Sequence, residues 1–168
     1  VGDSEGWQLA QSVKTPKQKP SKVALVTQDL IQTLLSAGFK TLTLYQLEKG
    51  EVDENTVATQ LATQITGLGC TIASPRHGRV NIRAAHDGLI DIKPELNTLN
   101  QHLPEIGVAT QKNFKPVQEG QLIATVKVIP YAIKGALLNK VKAERHLINV
   151  RAFKPFKAAL LFTGSAQS

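Results

Sequence analysis

The sequence has one cysteine, Cys70, and no methionine among its 168 residues. A single cysteine cannot form an internal disulfide, which agrees with a reducing compartment. No apolar run approaches the roughly 20 residues that a membrane helix needs, so no membrane association is expected. The chain also lacks a basic-then-apolar opening of the signal-peptide kind. We therefore expect a cytoplasmic location, and because residue 1 is Val, we expect the chain to be a piece of a longer product.

The common catalytic and nucleotide-binding motifs are also missing. There is no GxxxxGK[ST], GxGxxG, CxxC or GxSxG sequence. The four histidines are scattered, and His77 and His86 have no cysteine or carboxylate beside them at metal-ligand spacing. We predict no catalytic residue and no metal ligand, and an enzyme that is complete within this chain is the least favoured class of function.

Positive charge is abundant and unevenly placed. The formal net charge is +7. Residues 14–22 hold four lysines and no acid, and residues 134–157 hold seven basic residues against Glu144 alone. These segments are interpreted either as a solvated loop and a solvated helix face or as a surface for a polyanion. The second interpretation gives one candidate function, a nucleic-acid-binding module, although few aromatic residues lie beside the basic ones for base stacking.

The hydrophobic pattern mixes helical and strand periodicities without regular alternation, which favours an α+β fold. We expect a mixed sheet of short strands, or a partial barrel, with three or four helices. Capping residues and helix-ending glycines predict helices after Thr27 and after Asp53, and further helices are predicted after Pro94 and over 134–143. The predicted short strands include 41–47, 147–153 and 158–162.

The organising stretch is Pro116 to Ile133. From Leu122 to Ile129, six of eight residues are aliphatic, which predicts a strand buried on both faces. Thr125 and Lys127 are the polar exceptions. A lysine inside such a strand must reach solvent, a carboxylate or an anionic ligand, since burying it unpaired costs several kcal/mol.

A second polar concentration lies around Gly78. Arg76, His77, Arg79 and Arg83 fall within eight residues, and Asn81 adds a donor and an acceptor. Arginine forks bind phosphate or carboxylate in a bidentate manner, so one interpretation is an anion site. The other is structural: Arg79 and Arg83 pair with Asp87 or Asp91 and hold a turn onto the sheet. The anion role is favoured for Arg79 and Asn81, and the structural role for Arg76 and Arg83.

Several segments resemble the N-terminal region of a bacterial family of molybdopterin-binding proteins related to molybdopterin molybdenumtransferases. Some members of that family are fused to a nucleotidyltransferase that completes the molybdenum cofactor. The matching segments are LAQSV (9–13), EKGEVDENTVATQLA (48–62), GRVNIRAAHDGLI (78–90), LNTLN (96–100) and GQLIATVKVIPYAI (120–133). The chain departs from the family at 17–25, where the lysine-bearing loop contains no glycine.

The resemblance implies three parts: a family-specific α+β domain over 1–133, a basic connector helix and strand over 134–157, and the start of a truncated molybdopterin-binding α/β domain over 158–168. It also implies an accessory, non-catalytic role in molybdenum cofactor biosynthesis, with molybdopterin as cofactor. The parent protein would act in molybdenum transfer or nucleotidyl transfer. A following α/β domain and a homo-oligomer are the implied protein partners. Arg79, Asn81 and Lys127 are the residues expected to touch the anionic pterin phosphate.

Overall fold

The computed structural model describes residues 4–16, 19–20, 22, 24–141, 145–161 and 163–164. These residues form an α+β fold of short strands in small sheets with no closed barrel, as the hydrophobic pattern predicted. The helices are α1 (Gln28–Ser36), α2 (Glu54–Ile65), α3 (Glu95–His102) and α4 (Gly135–Val141). The strands are β1 (Gln8–Leu9), β2 (Leu44–Tyr45), β3 (Glu51–Asp53), β4 (Cys70–Ile72), β5 (Arg79–Ala84), β6 (Gly88–Ile92), β7 (Ile106–Thr110), β8 (Pro116–Val117), β9 (Leu122–Val128), β10 (Ala132–Lys134) and β11 (Ile148–Ala152). No helix in the described part of the chain is long and apolar enough to span a bilayer.

The largest sheet has the strand order β4-β5-β9-β7, and all of its pairings are antiparallel. Val80 and Ile82 of β5 and Val126 and Val128 of β9 face one side, where they are fully buried. Helix α2 packs on this side of the sheet, and its apolar face supplies Val57, Leu61, Ala62 and Ile65 to the same core. The opposite side carries the polar residues of both strands.

This arrangement corrects the expectation that β9 is buried on both faces. Thr125 and Lys127 are only partly buried, and they share the outer side of the sheet with Arg79 and Asn81. An antiparallel sheet with one solvated face needs only every second residue to be apolar. The aliphatic residues at the ends of the run, Leu122 and Ile129, are exposed and gave the false impression of a second buried face.

The two predicted helix starts are confirmed. The Thr27 hydroxyl accepts the Leu30 amide, and the Asp53 carboxylate accepts the amides of Asn55 and Thr56. Both side chains satisfy N–H groups that the first helical turn leaves unpaired. Gly38 follows α1 with a φ of 83°, as expected for a glycine that ends a helix.

A second sheet has the strand order β11-β6-β8, and Ile148 and Val150 of β11 lie in the same core as α2. Two predictions about extent were wrong. The strand expected over 41–47 is reduced to β2, and residues 158–161 have no regular secondary structure. Phe162 and residues 142–144, where the predicted last strand and helix end, lie outside the described residues, as do 165–168.

The N-terminal elements form a lobe with its own core. We call β1, α1 and β2, with the segments that connect them, the N-terminal lobe. Its buried residues are Leu9, Val13, Val26, Leu30, Ile31 and Leu34, and they form a cluster separate from the main core. Two side-chain contacts that join this lobe to the rest are the stack of Tyr45 on Tyr131, with ring centroids 4.8 Å apart, and an ion pair between Lys22 and Glu54.

Candidate anion-binding site

One element of the site is a tight turn between Arg76 and Arg79. The Arg76 amide donates to the Arg79 carbonyl and the Arg79 amide donates to the Arg76 carbonyl, at 2.8 and 3.0 Å, so that only His77 and Gly78 lie between them. His77 and Gly78 have φ of 52° and 67°. Two central residues with positive φ are the mark of the type I′ hairpin turn, for which a glycine is well suited. Arg76 and Arg79 are therefore directly opposite each other, with their side chains on the same face.

Lys127 extends this pair into a row of three cations. On β9, it is the direct neighbour of Arg79 across the sheet. Arg76, Arg79 and Lys127 thus occupy adjacent strands on one face, and we call them the cation row. Like charges placed directly opposite in a sheet are destabilising, so such a row is unfavourable without a counter-ion.

The carboxylates proposed as structural partners are occupied elsewhere. Asp91 forms an ion pair with Arg151 at 2.7 Å, and Asp87 accepts the Glu119 amide at 2.8 Å. The Arg83 guanidinium donates to the Gly120 carbonyl at 2.8 Å. The predicted pairing of Arg79 and Arg83 with these aspartates is therefore wrong, although Arg83 does hold a turn. Among the described residues, no carboxylate lies within ion-pair distance of Arg76 or Arg79.

Asn81 and Thr125 form the next row on the same face. They are direct neighbours across β5 and β9, and the Thr125 hydroxyl donates to the Asn81 side-chain oxygen at 2.9 Å. This contact uses the acceptor of Asn81 and fixes which end of the amide is the donor. The NH₂ group then remains as a donor beside the cation row, which suits an anion.

Lys127 is held against the turn. Its Nζ donates to the carbonyls of His77 and Val128, at 2.8 and 2.6 Å, which leaves one of its three N–H groups for a ligand. Desolvation by burial lowers the pKa of Lys127, and the nearby charges of Lys22 and Arg79 lower it further, while Glu54 opposes the shift. The free protein therefore holds this ammonium less favourably than water does, and a bound anion would offset that cost.

Beneath the turn lies Glu54, a fully buried carboxylate. One oxygen, Oε2, pairs with the Lys22 ammonium at 2.9 Å, and the other, Oε1, has no hydrogen-bond partner among the described residues. The Lys22 ammonium also lies 4.4 Å from the centre of the Tyr131 ring. A buried carboxylate needs a paired cation, so Glu54 fixes Lys22 at the edge of the site.

The cation row, together with Lys22 and Asn81, lines one concave surface of about 540 Å³. Its walls include Lys22, Ser74, Arg76, Arg79, Asn81 and Lys127. Among the residues that the structure describes, no carboxylate lines it. A groove of similar volume, also about 540 Å³, adjoins it on the far side of Arg79 and Lys127. The groove floor includes Gly107, directly opposite Lys127 on β7, and its walls include the apolar side chains of Ala109 and Ile129.

The structure brings the three residues predicted from the sequence, Arg79, Asn81 and Lys127, onto this one surface. Sequence reasoning assigned Arg76 a structural role, whereas it completes the cation row. The signal was present, because a two-residue His-Gly turn makes its flanking arginines direct neighbours. Lys22 was missed as a member of the site, and nothing local indicates its position, since it reaches Glu54 across 32 residues of sequence.

The described residues include no group of three or more His, Cys, Asp or Glu side chains placed to hold a metal ion. Burial raises the pKa of the Cys70 thiol to about 11, which makes it a poor nucleophile near neutral pH.

No protein-family model, curated protein sequence or solved structure matches the chain.

Proposed function

We propose that this chain is a non-catalytic domain that binds the phosphate group of a small organic molecule on the outer face of β5 and β9. The observation that carries the proposal is the cation row of Arg76, Arg79 and Lys127, placed side by side with no carboxylate partner in the described part of the chain. A phosphate ester carries close to two negative charges and three acceptor oxygens, which matches this set of donors. Asn81 adds a neutral donor beside the row.

The groove beside the cation row favours a small organic ligand over a bare ion. It shares Arg79 and Lys127 with the phosphate site, so one molecule can place its phosphate on the row and its body along β7. The space above Gly107 in this groove is open, since a Cβ added there would meet nothing within 4 Å. Apolar walls with a few polar groups are typical of sites for small ligands.

The resemblance to molybdopterin-binding proteins suggests molybdopterin as that ligand, and a role in molybdenum cofactor biosynthesis in the cytoplasm. On this proposal, the domain would hold the pterin phosphate while a following α/β domain, or a second copy of the chain, supplies other contacts. The lone, partly buried Cys70 agrees with a reducing compartment.

The proposal is tested by calorimetric titration of the purified chain with inorganic phosphate and then with molybdopterin at constant ionic strength. We expect binding of both and a loss of about tenfold or more in affinity for Arg79→Gln, because a charge-assisted hydrogen bond contributes about 1.5–3 kcal/mol. Lys112→Gln is the matched control, since it removes one exposed charge from the loop beyond the other end of β7.

Equal effects of the two substitutions would mean that net charge, and not the cation row, attracts the anion. A nucleic-acid-binding module would behave differently, because its affinity falls linearly with the logarithm of the salt concentration. In that case substitutions in 14–22 and 134–157, and not Arg79→Gln, would dominate the loss.

A further inference from the structure

A second polar depression adjoins the phosphate site on the side away from the β7 groove. Its volume is about 340 Å³, and it lies where three residues of the N-terminal lobe meet residues 75–77. It shares Lys22, Arg76 and His77 with the phosphate site. The remaining walls are Ser12, Lys19, Asn55 and Pro75.

The chemistry of this depression is that of an anion site. Three of its residues, Lys19, Lys22 and Arg76, have basic side chains, and no acidic residue of the described part of the chain lines it. The Ser12 hydroxyl accepts the Lys22 backbone amide at 3.0 Å, and Asn55 accepts the Gly78 amide at 2.8 Å. These two contacts fix the walls that carry the cations on either side of the depression.

Lys22 gives a second reason to expect an anion here. Its ammonium is held by the buried carboxylate of Glu54, so its position does not depend on a ligand. The lysine chain retains some exposure, with 19% of the side-chain surface accessible. A lysine that is already held in place loses little side-chain entropy when it binds an anion, whereas a mobile surface lysine loses more.

We propose that the ligand carries two linked phosphate groups, and that the depression around Lys19, Lys22 and Arg76 holds the second. The site then runs as one continuous track: the organic body along β7, the first phosphate on Arg79 and Lys127, and the second phosphate between Arg76 and the N-terminal lobe. The inference rests on the proposed phosphate site and changes the ligand from a compound with one phosphate, such as molybdopterin, to an organic diphosphate. Arg76 lies between the two phosphate positions and would contact both.

The test compares inorganic phosphate with pyrophosphate, titrated by calorimetry at constant ionic strength and without divalent metal. We expect pyrophosphate to bind at least tenfold more tightly than phosphate. Lys19→Gln should lower pyrophosphate affinity several-fold and leave phosphate affinity unchanged, whereas Arg79→Gln should lower both. Lys19 is exposed, so the substitution does not threaten folding, and Lys112→Gln again controls for net charge.

Equal affinities for the two anions, or equal effects of Lys19→Gln on both, would overturn the second phosphate position and leave the first one standing. If neither anion bound, or if Arg79→Gln changed neither affinity, the proposed function would be overturned as well. Tighter binding of a single-stranded oligonucleotide than of pyrophosphate, lost in Lys19→Gln, would also overturn the diphosphate assignment, in favour of a nucleic-acid strand.

Discussion

At the scale of single residues, Lys127 is the side chain whose chemistry depends most on a ligand. Desolvation, helped by the charges of Lys22 and Arg79, lowers its pKa, and Glu54 only partly offsets this. A lysine whose pKa is lower in the folded state than in the unfolded state destabilises the folded protein while the lysine is protonated, at a cost in free energy of unfolding. That cost is fully present below the lowered pKa, falls as the pH rises from there towards the ordinary lysine pKa, and is gone above the ordinary pKa. A bound phosphate would remove it differently, by supplying a counter-charge.

Phosphate binding should therefore depend on pH in the alkaline range. As Lys127 loses its proton, we expect the affinity to fall about tenfold, and the fall should begin at a lower pH than an ordinary lysine would give. Calorimetric titrations between pH 8 and 10.5 measure this, because phosphate remains a dianion over most of that range.

Lys127→Arg supplies the control for this pH effect. Arginine keeps its charge throughout the range, so the variant should bind phosphate with nearly constant affinity. A wild-type affinity that stays level to pH 10 would show that Lys127 does not contact the anion.

At the scale of elements, the turn 76–79 sets the geometry of the whole site. It places Arg76 opposite Arg79, and its His77 carbonyl accepts from Lys127. Gly78 passes close to its neighbours: a Cβ there would lie 3.0 Å from both the Glu54 carboxylate and the Val128 carbonyl. One glycine thus meets two demands, a positive φ and a close approach of the backbone to β9 and α2.

Gly78→Ala should destabilise the protein by about 2–3 kcal/mol, because it adds strain at positive φ to contacts that are already tight. Urea denaturation measures the change in the free energy of unfolding. His77→Asn is the matched variant, since asparagine accepts positive φ readily and should change stability by less than about 1 kcal/mol. An alanine variant as stable as the asparagine variant would contradict the type I′ geometry.

The same elements show how far sequence reasoning reaches. Thr27, Asp53 and Gly38 act through neighbours a few residues away, so the ends of their helices could be predicted. The burial of β9 could not, because an aliphatic residue at a strand end looks the same whether a second layer covers it or not. Arg79, Asn81 and Lys127 were identified by type, yet their grouping depends on the register of β5 with β9, which only the fold supplies.

At the scale of the whole molecule, the protein has two cores of unequal size. Six described residues form the buried cluster of the N-terminal lobe, whereas the main core has 23. The proposed second phosphate position lies between the two, since Ser12, Lys19 and Lys22 come from the lobe side and Arg76 from the body. Lys22–Glu54 and Tyr45–Tyr131 join them. Binding there would strengthen this junction.

The lobe should consequently open more easily than the body. Because opening a small apolar cluster exposes little surface, we expect amides of α1 to exchange with solvent at least tenfold faster than those of α2, measured by hydrogen exchange with mass spectrometry. Low concentrations of urea should hardly change exchange in α1 but should accelerate it in α2, whose exchange requires global unfolding. If the ligand bridges lobe and body, pyrophosphate should slow exchange in α1 more than inorganic phosphate does, when each anion is added at the concentration that gives the same overall stabilisation. Equal protection of α1 and α2 in the free protein would mean that the lobe and the body unfold as one unit, and the junction would then have no separate equilibrium for a ligand to shift.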